Sequence, residues 1–170
     1  MPPDEPGGVE WLGASPDGLL RGPDGGVLEV KCPANKGLKG NAGGTFADAT
    51  PFERMPAYYV PQVLGQMAVF GRPYAELFCY TRRNGCTSFR VDDAPAVWAL
   101  ARDVLRDFWH LYVLPARAAR RDGATDTDIE RWRPRFDEAR SSAIIAECKR
   151  LAAEARTQRF PSPSLGAEAR

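Results

Sequence analysis

Asp17, Glu29 and Lys31 have the types and the spacing to manage a divalent ion beside a phosphate. Asp17 sits in the turn-like run Ser15-Pro16-Asp17-Gly18, and Glu29-Val30-Lys31 follows one further turn, Gly22 to Gly26. On a strand, residues two apart share a face, so Glu29 and Lys31 project together while Val30 and Cys32 point the other way. A reverse turn at 22–26 that folds the flanking strands together brings Asp17 near Glu29. Two carboxylates and an ammonium then converge at one edge of a small sheet. Paired carboxylates make the hard-oxygen site that Mg²⁺ prefers, with water and substrate phosphate completing the shell. Such an ion acidifies a bound water and neutralises charge on a phosphate in transfer, and a fixed lysine adds charge at the same place. Singly, each feature is ordinary. A Glu-x-Lys on a strand is commonly a solvent-facing pair, and an Asp in a turn commonly caps its own backbone. Both together across one hairpin are much rarer, and that combination favours a site.

The elements that must hold these residues follow from pattern. Val9–Ala14, Leu19–Arg21 and Val27–Cys32 read as strands of an antiparallel meander, stopped by Pro33. Ala34 to Pro56 is a long polar, glycine-rich loop of the length usually reserved for function or disorder. Tyr58–Phe70 reads as a helix with Pro61 in its first turn and Gly71 as its stop. Tyr74–Arg82 and Thr87–Val91 read as a hairpin turned at Asn84-Gly85.

Ala94 to Arg117 is the clearest helix, with Val97, Leu100, Ala101, Val104, Leu105, Phe108, Leu111 and Tyr112 as one apolar stripe. A capping box at Thr127–Glu130 opens a more polar helical region running to Arg159, broken at Pro134. The order predicts an α/β chain, a small mixed sheet flanked by helices with a C-terminal helical extension. The divisions are a flexible lead-in over 1–8, a core over 9–121, the extension over 122–160 and a disordered tail over 161–170.

Composition narrows the class. The chain has 170 residues, 44% of them hydrophobic and 26% charged, which is globular. With 23 Lys and Arg against 22 Asp and Glu there is no bulk polycation, so any grip on nucleic acid has to be local. No apolar run reaches a membrane span, and none near Met1 forms a signal peptide. Cys32, Cys79, Cys86 and Cys148 lack zinc or iron–sulfur spacing and suit a reducing, intracellular compartment. His110 is the single histidine, which argues against a His-built zinc or serine-triad site and leaves it without an assigned role.

Three ordered motifs carry a resemblance: Gly13-Ala14-Ser15-Pro16-Asp17-Gly18-Leu19, then Leu28-Glu29-Val30-Lys31-Cys32-Pro33, then Tyr58-Tyr59-Val60-Pro61-Gln62-Val63 running to Met67. Over about residues 9–82 the chain resembles the lambda-exonuclease or YqaJ-type viral recombinases, PD-(D/E)xK nucleases with a restriction-endonuclease-like core. The resemblance implies Mg²⁺-dependent 5′→3′ digestion of double-stranded DNA for recombination, with Mn²⁺ as a substitute ion. It implies that Asp17 and Glu29 are metal carboxylates, that the Val30 carbonyl is a further ligand, and that Lys31 is the catalytic lysine. Gln62 resembles the glutamine that completes the site; Gln66, one turn later, is the neighbour it must be told from, and the run to Met67 favours Gln62.

Lys36, Lys39 and Arg54 are candidates for holding the DNA backbone. Tyr58 and Tyr59 are candidates for stacking on DNA or shaping the site, with core packing expected of at least one. The resemblance also implies a trimer around DNA and a single-strand annealing protein as partner. Relatives carry an upstream helix with a further metal-binding glutamate, and here only Glu5 and Glu10 precede Gly13, in a predicted loop and strand. A fragment, or a diverged protein without turnover, would account for that. The alternative expectation is therefore a non-catalytic DNA-binding or assembly module that keeps the fold with an incomplete site.

Overall fold

Pairing starts at the predicted turn. β1 (Gly18–Leu19) lies antiparallel to β2 (Val27–Lys31), with Gly18 opposite Leu28 and Leu19 opposite Val27. The turn between them is closed by Leu20 N–H donating to the Gly26 carbonyl at 2.9 Å and Gly25 N–H to that of Gly22 at 3.0 Å. The computed structural model describes residues 11–22, 24–33, 49–135 and 137–162. They fall into two compact units, Met1–Asp93 with Lys149–Arg170, and Ala94–Cys148.

In the first unit β2 runs parallel to β3 (Tyr74–Tyr80), and a parallel neighbour requires a crossover connection. The crossover carries α1 (Val60–Phe70), entered through a 3₁₀ turn at Ala57–Tyr59 with Pro61 in its first turn. Gly71 ends α1 in the left-handed region at φ 61°, where a Cβ would be strained, and its N–H returns to the Met67 carbonyl. β3 turns into antiparallel β4 (Cys86–Asp92) with Leu77 opposite Phe89. The Thr81 hydroxyl donates to the Gly85 carbonyl at 2.6 Å to tie that turn. Gly85 is held at φ 81°, and a Cβ there would lie 2.4 Å from the Phe160 carbonyl oxygen.

The completed sheet has five strands in sequence order, mixed because only β2 and β3 are parallel. This is the small mixed α/β sheet flanked by helices that the sequence predicts. Alternation puts Val27, Glu29 and Lys31 on the face that also buries Ala75, Leu77, Cys79, Phe89 and Val91. Val60, Val63, Leu64 and Met67 of α1 are buried as well, and α1 packs on β2 and β3. Each such burial contributes about 1.5–3 kcal/mol, so the glutamate is set into the best-packed part of the unit.

Several expectations are corrected. Trp11–Ala14 forms no strand; Val9 and Glu10 lie outside the described residues. Arg156–Phe160 is not the end of a helix but β5, antiparallel to β4 with Cys86 opposite Phe160. All five of its residues are exposed, so backbone pairing to an open edge makes this strand, and an apolar period has nothing to report there. The lead-in 1–8 and residues 163–170 of the tail lie outside the described residues, as does 34–48 of the long loop.

The second unit opens with α2 (Pro95–Phe108), a π-helical turn at Trp109–Val113 and α3 (Leu114–Arg121), four residues longer than the pattern predicts. The apolar stripe is buried only at its start, at Val97 and Ala101 together with Trp98, whereas Leu100, Leu105, Phe108 and Leu111 are exposed. A stripe shows which face could be covered, not how much of it is. The capping box lies two residues earlier than expected. Thr125 Oγ1 accepts from Asp128 N–H at 3.3 Å, and Thr125 N–H donates to the Asp128 carboxylate at 2.9 Å, opening α4 (Asp126–Ile129). An aspartate thus serves where Glu is usual. Pro134 lies in the non-helical stretch before α5 (Glu138–Glu154), where Arg140 reaches Asp107 at 2.7 Å.

Candidate metal and phosphate site

The β1–β2 register, carried one position past Gly18 and Leu28, sets Asp17 opposite Glu29. Asp17 is not left to the turn alone, because its Oδ2 accepts the Val30 N–H at 2.7 Å. A residue's N–H and C=O leave a strand on the same side, so the Val30 carbonyl opens on the edge where the Asp17 carboxylate lies. The hairpin therefore sets Asp17 beside Glu29 and Val30 of β2.

Glu29 is 5% exposed and carries three side-chain donors. Its Oε1 accepts from Lys31 Nζ at 2.5 Å and from Gln62 Nε2 at 2.7 Å, and its Oε2 accepts from Gln66 Nε2 at 2.8 Å. A buried carboxylate is tolerated when paired and hydrogen-bonded in this way. Gln62 and Gln66 are one turn apart on α1, so both look down on β2. Gln62 is at the surface and Gln66 is 3% exposed, which makes Oε1 the outward oxygen of Glu29 and Oε2 the inward one.

Lys31 is also fixed from its side. Its ammonium lies 4.7 Å from the centroid of the Tyr59 ring, a cation–π distance. The Tyr59 ring is held in turn by Phe52 at 6.1 Å and Tyr58 at 4.4 Å. Burial, then the Tyr58 side chain, pushes the Tyr59 phenol above its usual range, so it stays neutral beside the lysine. Of the tyrosine pair, Tyr59 thus shapes the site and Tyr58, 70% exposed, is open to a partner. Arg54 is at the surface, and Lys36 and Lys39 lie outside the described residues.

Sequence reasoning chose Gln62 over Gln66, whereas both amides reach Glu29, and it missed the Tyr59 seat for Lys31. Two amides at i and i+4 on an otherwise apolar helix were a signal that both could face one acceptor. Among the described residues no three of His, Cys, Asp and Glu stand together. A divalent ion here would rest on two carboxylates and a backbone carbonyl, with water for the remainder. That donor set is all hard oxygen and fits Mg²⁺ or Mn²⁺. Among the described residues no helix is long and apolar enough to cross a membrane.

No curated protein and no solved structure matches the chain. The family model of the YqaJ-like viral recombinase domain matches residues 6–73, which span Asp17, the β2 residues, and Gln62 and Gln66 of α1. Over that stretch the chain is similar to the YqaJ-like viral recombinase domain.

Proposed function

We propose that the chain is a metal-dependent deoxyribonuclease that digests double-stranded DNA 5′→3′ by hydrolysis. The reading is supported above all by one arrangement: Asp17 set across from Glu29, with Lys31 and Gln62 on the outward oxygen of that glutamate. Asp17, Glu29 and the Val30 carbonyl hold Mg²⁺, for which Mn²⁺ substitutes. When bound, the ion supplies charge neutralisation at the scissile phosphate and acidifies a water. Lys31, on a flexible four-carbon stem, turns its ammonium from Glu29 to a phosphate oxygen as charge builds there. The Gln62 amide orients the attacking water, with one end fixed on Glu29. Tyr58 offers an open ring to a base, and Arg54, Lys36 and Lys39 hold backbone phosphates. Family likeness extends the proposal to a trimer around DNA and to a single-strand annealing protein that takes the product strand.

A second reading is favoured by one observation. The outward oxygen of Glu29 already accepts both Lys31 and Gln62, so an ion bound there displaces one of them. On that reading the chain is a non-catalytic DNA-binding or assembly module. Incubation of linear duplex DNA with the protein in Mg²⁺ and in Mn²⁺ separates the two. Digestion abolished in Glu29→Gln supports the nuclease, whereas DNA bound but intact in both ions supports the module. Nicking of closed circular DNA would overturn the exonuclease assignment.

A further inference from the structure

Gln66 is buried, donates 2.8 Å to the inward oxygen of Glu29, and leaves its own Oε1 buried without a hydrogen-bond partner. Turning the amide over to satisfy that oxygen would set it against the carboxylate, acceptor to acceptor. The Glu29 charge therefore fixes which way the amide points and keeps the orphaned oxygen orphaned. A buried acceptor with no partner works against the folded state. An apolar side chain of similar length would fill the same space on α1 without that cost. Val63, Leu64 and Met67 around it already form a continuous apolar surface.

From this we propose that Gln66 is a positioning residue for the metal carboxylate. It pins Oε2 inward, so the carboxylate cannot rotate about its last bond. Oε1 then stays at the mouth beside Gln62 and Lys31 as the oxygen presented to an ion. The inference rests on the reading of Glu29 as a metal ligand.

Gln66→Met tests it, with thermal midpoint and calorimetric Mn²⁺ titration on the full chain as paired readouts. The expected result is a midpoint lowered modestly, because Glu29 Oε2 loses its donor while the orphaned amide oxygen is removed with it, and Mn²⁺ affinity weakened about 10–100-fold, as for other groups that orient a metal ligand. The Mn²⁺ concentration that half-saturates DNA cleavage moves by the same factor. Affinity within about twofold of the parent's overturns the positioning role. A parent that takes up no Mn²⁺ overturns the metal reading itself and this role with it, a failure visible before any variant is made.

Discussion

Two carboxylates on the same sheet have similar numbers of donors and opposite surroundings. Glu29 is 5% exposed and takes Lys31, Gln62 and Gln66. Asp92, at the end of β4, is 60% exposed at its side chain and takes Arg90 at 3.1 Å and Arg156 at 2.7 Å. Burial works upward on the Asp92 carboxyl, but hydrogen bonds from Arg90 and Arg156 outweigh it and hold the carboxyl below its usual range. Around Asp92 water screens each charge, and the cluster decorates an edge where β4 meets β5. Around Glu29 there is little water, so every donor matters and an unmet one is costly. The contrast shows that a count of partners means little without burial: similar donors are screened at Asp92 and unscreened at Glu29.

The contrast is sharpest at Glu29. Glu29→Gln should reduce DNA cleavage by about 10³-fold or more, on the scale of losing a transition-state contact and its charge together. Its stability should fall by about 1–3 kcal/mol in urea titration, because Lys31 and the two amides lose a charged acceptor. Unchanged cleavage would put Glu29 in the same class as Asp92.

Lys31→Ala should lower cleavage by about 10²–10³-fold while leaving DNA and Mn²⁺ binding in place. Loss of metal binding together with activity would instead make the lysine a structural partner of Glu29.

Gln62→Leu should cost about 10–100-fold in turnover at saturating metal, the scale of losing a group that orients a metal ligand or its water. Asp92→Asn should change neither cleavage nor metal affinity and should cost no more than about 1 kcal/mol. Its pH dependence has a defined sign. The lowered carboxyl stabilises the fold above the unfolded value near 4 and loses that contribution as the pH falls through the folded value. Parent and Asp92→Asn should therefore converge in acid, as followed by thermal midpoint from pH 6 to about pH 3. A difference that grows in acid would refute the assignment.

The site was legible in the sequence where its geometry is local. Asp17 meets Glu29 through one short hairpin, and Glu29 and Lys31 share a face through period-two alternation, so few alternatives compete. Gln62 was legible through its motif on α1. Gln66 was legible only as a rival to Gln62, because whether both amides serve one acceptor is not decided until the strand beneath them is known to carry a buried acid. β5 was illegible for a different reason. Arg156–Phe160 pairs through its backbone and buries nothing, so hydrophobic period carries no trace of it. The stripe from Val97 to Tyr112 is buried only at its start and passes into a π-helical turn at Trp109, because coverage of a face depends on partners the pattern does not name. The capping box shifted because Thr125–Asp128 and Thr127–Glu130 offer overlapping caps. Thr125, preceded by Gly123 and Ala124, leaves the chain free to take the earlier one.

The central claim is that Asp17 and Glu29 hold one divalent ion between β1 and β2. Calorimetric titration of Mn²⁺ into the full chain, with Asp17→Asn and Glu29→Gln alongside, tests it most directly. The account predicts one site per chain, weakened at least about 10-fold in either variant. No heat of binding in the parent, or the same affinity in all three proteins, would contradict it.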